Sequence, residues 1–269
     1  MNADPTTLPA PHLSPGLDAL LDRVAARQRA DFGHMASDLK ADGSLITACD
    51  RWSDATLVEG LAQLYPGEGV LSEEGDKTVP GSDAYWVVDP LDGTTNFAAG
   101  IPYWAISLAR FEGGIPVLAV LDVPPLRQRI VAIRGQGAWR NCRLLQPPSR
   151  QSHPAGCASL CSRSIGVLQK LPNQRFPGKI RLLGVASLNL VSVAMGQTVS
   201  ALEATPKIWD LAAAWLVLSE LGCPIRWLVR SPEAIAAGSD LSTADFPVLA
   251  ADRPDTLARF MPWAEALVA

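Results

Sequence analysis

Apolar positions recur at helical spacing at two places near the start of the chain. From Gly16 to about Phe32 they are Leu17, Leu20, Leu21, Val24 and Ala25, and from Ser53 to Tyr65 they are Leu57, Leu61 and Leu64, with Pro66-Gly67 as the stop. Both stretches predict amphipathic helices, with the Asp42-Gly43 turn between them. The first clear strand is Tyr85-Trp86-Val87-Val88. Because proline gives no ladder donor, the strand is expected to stop before Asp89-Pro90 and to hand its acid to a loop. Trp104 to Phe111, Ile115 to Val123 and Arg129 to Arg134, joined by Gly113-Gly114 and Pro124-Pro125, predict three antiparallel strands.

Pro147-Pro148-Ser149 is the candidate boundary between two halves, 16–146 and 147–269, and residues 1–15 are expected to form a disordered leader. Beyond the boundary the pattern predicts short strands at Ala158 to Cys161 and Lys179 to Leu183. Helices follow at Leu188 to Met195 and Trp209 to Leu221, each stopped by glycine. The second of these helices is apolar all round, as a helix buried between layers is. The expected fold class is α+β, a layered sandwich with a largely antiparallel N-terminal sheet and a smaller C-terminal α/β half.

Composition narrows the chemistry. Across 269 residues, 48% are apolar and the net charge is −4, which suits a globular protein and not one that coats a nucleic-acid polymer. Five cysteines without a Cys-x-x-Cys pair point to a reducing, cytoplasmic setting, and no apolar run reaches the length of a membrane span. Three isolated histidines leave little for a zinc centre, so a metal would be held by oxygen.

Oxygen ligands are concentrated in Asp89-Pro90-Leu91-Asp92-Gly93-Thr94-Thr95. Two carboxylates and the Leu91 carbonyl on one tight turn offer the donors that Mg²⁺ accepts, and Gly93-Thr94 can present N–H groups to a phosphate. Taken alone, the string reads equally as an ordinary turn. Glu73-Glu74 after an apolar strand, and Asp210 opening an apolar helix, add acids that solvation and capping would explain one at a time.

Four strings carry a resemblance: Lys40 to Asp50, Leu71-Ser-Glu-Glu74, Trp86 to Phe97 and Trp209-Asp-Leu-Ala-Ala213. Together, and in this order, they resemble the inositol monophosphatase family of magnesium-dependent, lithium-sensitive phosphatases. The resemblance implies two or three Mg²⁺ ions per site. Glu73, Asp89 and the Leu91 carbonyl would hold one, Asp89, Asp92 and Asp210 another. It implies that Gly93 and Thr94 bind phosphate through backbone N–H groups, that Thr94 and Asp50 orient the attacking water, and that Glu74 stands behind the ligands. Lys40, Ala186 and Glu203 would contact substrate, and the chain would form a homodimer. A carboxylate at Glu203 favours a polyol such as inositol 1-phosphate. Histidinol phosphate, fructose 1,6-bisphosphate and 3′-phosphoadenosine nucleotides stay open, as does a catalytically silent binding or scaffold relative. Lys207 could meet a second negative group or simply be solvated.

Overall fold

The computed structural model describes residues 13–34, 37–40, 43, 45–149 and 156–269, so the leader expected over residues 1–15 lies almost wholly outside the described residues. In chain order the elements are α1 (Pro15–Asp31), β1 (Ser37–Leu39), β2 (Leu45–Thr47), α2 (Ala48–Leu64), β3 (Gly69–Ser72), β4 (Ala84–Asp92), α3 (Thr94–Ala98), β5 (Ala105–Glu112), β6 (Ile115–Val123), β7 (Gln128–Ile133), β8 (Gly137–Arg140) and β9 (Arg143–Leu144). They continue with β10 (Cys157–Leu160), α4 (Val167–Lys170), β11 (Lys179–Arg181), α5 (Ala186–Ala194), β12 (Ser200–Glu203), α6 (Ile208–Glu220), β13 (Ile225–Trp227), β14 (Val248–Ala251) and α7 (Pro254–Val268).

Five layers result. Strands β3 to β9 form a seven-stranded sheet in sequence order, antiparallel except for the parallel pair β3–β4. Period-two alternation decides its two faces. Trp86, Val88, Ile106, Leu108 and Val120 face α1 and α2, where they meet Leu17, Leu21, Val24, Leu57 and Leu61. Val87, Ala109, Phe111, Ala119 and Leu121 face the opposite way, onto α5 and α6. Beyond those helices lies the second sheet, ordered β11-β10-β12-β14-β13, in which β10 runs parallel to both neighbours. Its far face packs on α7 through Phe260 and Trp263. Helix α6 is therefore apolar all round because a sheet stands on each side of it.

Two boundaries differ from expectation by more than two residues. Helix α2 begins at Ala48, five residues before Ser53, because Thr47 closes a capping box. Thr47 Oγ1 accepts the N–H of Cys49 and of Asp50, while Asp50 Oδ2 accepts Thr47 N–H at 2.9 Å. Strand β4 does not stop before Asp89 but runs through Pro90 to Asp92. Its register with β5 shifts between Asp89, opposite Ser107, and Asp92, opposite Ala105. The bulge leaves Pro90 out of the ladder, where its missing N–H costs nothing.

Candidate active site

Local pairing assembles the acids. Parallel register sets Ser72 beside Val88, and Glu73 N–H bonds the Val88 carbonyl at 3.1 Å, so Glu73 lies next to Asp89 at the end of the β3–β4 ladder. Ser107, opposite Asp89 on β5, donates through Oγ to the Trp209 carbonyl at 3.1 Å. That bond brings the start of α6, and so Asp210, up to the bulge. Oxygens of Asp89, Asp92 and Asp210 lie within 4.8 Å of one another.

Such crowding is unfavourable without a cation. Burial, then the charges of Glu73, Asp92 and Asp210, hold the Asp89 carboxyl well above the usual carboxylate range. Burial and its acidic neighbours raise Asp210 in the same way. Burial also pushes Asp92 up to about 6, although it accepts Ser187 N–H at 2.7 Å and Ala186 N–H at 3.4 Å at the start of α5. Three converging carboxylates, oxygen-only and short of positive charge, fit a hard divalent ion such as Mg²⁺.

Lys40 meets the remaining acids. Its Nζ donates to Glu73 Oε1 at 2.8 Å and also to Glu74 Oε1. The two carboxylates hold the ammonium above its ordinary pKa against the opposing effect of burial. Glu74 is pushed up to about 7 by burial and by the charge of Glu73. Glu73 thus neighbours the aspartate cluster but spends its carboxylate on Lys40.

On the other side, Thr94 Oγ1 donates to Asp50 Oδ1 at 2.7 Å and lies 3.1 Å from the Leu91 carbonyl. Asp50 Oδ2 is already held by the Thr47 N–H and hydroxyl. Gly93 precedes α3 at φ +103°, and a Cβ there would stand 2.8 Å from Val185 Cγ2. The close approach of Val185, just before α5, to the start of α3 requires glycine here.

A cleft of about 240 Å³ opens beside the cluster, lined by Asp92, Asp210, Ala186, Glu203, Asn189 and Arg163 among others. Glu203, at the end of β12, is 2% exposed, and its Oε1 accepts Asn189 Nδ2 at 2.8 Å. Burial pushes its carboxyl up to about 8. The Ala186 N–H points at Asp92, so only the rest of that residue faces the cleft. Lys207 is turned away: its Nζ pairs with Asp245 at 2.9 Å and with the Ser242 carbonyl. Cys161 is half-buried and lines the cleft.

The sequence gives no individual role to Asn189, Arg163 or Ser107, which join the site only through tertiary contacts. Thr47 was missed as well, although Thr47-Ala-Cys-Asp50 has the spacing of a capping box.

Fold and site together define a phosphoric monoester hydrolase of the layered α+β kind. A model of the inositol monophosphatase family matches residues 19–245, and the chain belongs to that family. Histidinol-phosphatase of Mycobacterium tuberculosis is 33% identical over 76% of this chain and 83% of its own. Inositol-1-monophosphatase of Rhizobium meliloti is 33% identical over 71% of this chain and 76% of its own. In fold, the chain is similar to Thermotoga maritima IMPase, with a TM-score of 0.77 at 24% identity over 94% of this chain and 96% of that one. No helix among the described residues is long and apolar enough to cross a membrane.

Proposed function

We propose that the protein is a Mg²⁺-dependent phosphatase of polyol monophosphates, with inositol 1-phosphate as the type substrate. The reading is carried by Glu203, buried in the wall of the cleft that Asp92 and Asp210 also line. A hydroxyl-rich leaving group suits a carboxyl there. An adenine ring would find no aromatic face among the described residues lining the cleft.

Asp89, Asp92 and Asp210 would hold one ion, and Asp89 with the Leu91 carbonyl and Glu73 another, with Glu73 giving up Lys40. When bound, the ions neutralise the phosphate dianion, lower the pKa of water and stabilise the leaving oxygen. The Thr94 hydroxyl, donating to Asp50 Oδ1, keeps a lone pair for the proton of the attacking water and passes its own to Asp50. Gly93 and Thr94 N–H groups would orient the phosphoryl end, and Glu203, with Ala186 beside it in the cleft wall, the alcohol. Lys40 and Glu74 balance charge behind the ligands.

The test is Mg²⁺-titrated phosphate release from inositol 1-phosphate, histidinol phosphate, fructose 1,6-bisphosphate and a 3′-phosphoadenosine nucleotide. The expected result is the highest kcat/KM on inositol 1-phosphate, with Glu203→Gln raising its KM about tenfold. Preference for another ester replaces the substrate and keeps the phosphatase. Release from none of them supports a catalytically silent binding relative. A homodimer belongs to the same proposal. It is supported by exposed Ile101 and Leu182 on two loops that Asn96 ties together through the Tyr103 and Leu183 carbonyls, and light scattering in solution checks it.

A further inference from the structure

The β4 bulge removes residues 90 and 91 from the ladder with β5, so their backbone groups must find partners elsewhere. Leu91 N–H is held by Asp89 Oδ1 at 2.9 Å, and the Leu91 carbonyl faces Thr94 Oγ1. The Pro90 carbonyl is taken by Gln28 of α1, whose Nε2 donates to it at 2.7 Å across 62 residues of sequence.

Gln28 has no exposed surface. Its Nε2 also donates to Ser53 Oγ on α2 at 3.2 Å, and its Oε1 accepts Trp104 Nε1 at 3.0 Å. A buried amide is tolerated when its polar atoms are bonded, and these bonds converge on the flanks of the site. Pro90 separates Asp89 from Leu91, and Trp104 precedes Ala105, the partner of Asp92 in the ladder. Ser53 stands one turn after Asp50 on α2.

We propose that Gln28 is a positioning residue for the metal centre, and this rests on the Mg²⁺ reading above. By holding the Pro90 carbonyl toward α1, it commits the next carbonyl, that of Leu91, to the side of Thr94 and the aspartates. It also fixes the bulge that spaces Asp89 from Asp92. Gln28 acts through the backbone and touches neither ion nor substrate.

Mg²⁺ binding is read without turnover, from the Mg²⁺-induced rise in Tm and from Mg²⁺ displacement of Tb³⁺ luminescence. Gln28→Met removes the hub, while Gln28→Glu keeps the acceptor for Trp104 and removes the amide donor to Pro90. Val24→Ala, which trims the core between α1 and the sheet, supplies a matched loss of stability. The Mg²⁺ midpoint is expected to rise about 10- to 100-fold in both Gln28 variants and to stay unchanged in V24A. If Q28M does not fold, Q28E carries the test. A wild-type midpoint in a folded Gln28 variant, or an equal shift in V24A, overturns the assignment of Gln28 alone. No Mg²⁺ response in the unaltered protein overturns the metal reading and this inference with it.

Discussion

At Asp89 three other carboxylates act on one buried side chain, and their charges together with burial raise its carboxyl well above the usual range. Removing one charge from such a cluster relieves repulsion while deleting a ligand shared by both proposed ions. Asp89→Asn is therefore expected to fold with a higher Tm than the parent in chelator, to lose the Mg²⁺-induced rise in Tm, and to lose nearly all turnover. Mg²⁺ titration followed by calorimetry and phosphate release checks all three, and near-normal activity in excess Mg²⁺ would sink the ligand assignment. The identity of Asp89 as a candidate ligand was legible from its string of residues. Its partner Asp210 was legible only as an acid that helix capping would equally explain, and the structure shows it doing both: its Oδ2 caps Lys207 N–H at 2.7 Å while its carboxyl joins the cluster.

At the scale of elements, the site is made where strand, bulge and short helix follow one another without a spare residue. Gly93 makes that succession possible, because φ is +103° and a Cβ would crowd Val185 at 2.8 Å. Gly93→Ala is expected to destabilise by about 1–3 kcal/mol through backbone strain and overpacking. It should also weaken Mg²⁺ binding, since Asp92 and Thr94 flank the strained position. Chemical denaturation with and without Mg²⁺ measures both, and a neutral substitution would contradict the geometry. The major helices and the antiparallel strands could be read from periodicity because each buries one consistent face or, in α6, every face. The extent of β4 could not. Proline argued for a break, and only the register shift opposite β5 shows how a strand carries Pro90 between two acids. The short strands β12 and β14 escaped notice because neither Ser-Ala-Leu-Glu nor Val-Leu-Ala-Ala alternates apolar with polar positions.

For the whole molecule, buried carboxyls couple stability to pH. Burial raises Asp92 to about 6, Glu74 to about 7 and Glu203 to about 8, from ordinary values of 3.8 to 4.5. Across that window the unfolded chain releases protons that the folded one keeps. The stabilisation is thus complete below the unfolded values and is lost as pH rises through the folded ones. In chelator, Tm is expected to fall between about pH 4 and 8. Mg²⁺ binds the ionised acids, so the rise in Tm that it causes should be larger at pH 8 than at pH 6. Differential scanning calorimetry at stepped pH decides it, and a metal-free Tm that climbs with pH would refute the account.

The sequence by itself determined the layered α+β class, the apolar faces, the family through four ordered strings, and the acids available to a metal. These follow from local periodicity and from residue types whose chemistry does not depend on distant partners. Tertiary structure decided which acids converge, because Ser107 and Trp209 join across a distance no pattern encodes. It decided that Lys40 neutralises Glu73 and Glu74 and that Lys207 turns to Asp245. It also showed that a glutamine in the first helix holds the carbonyl between two aspartates. Each of these is a hydrogen bond or ion pair made after the layers pack, and only the packed chain selects its partner.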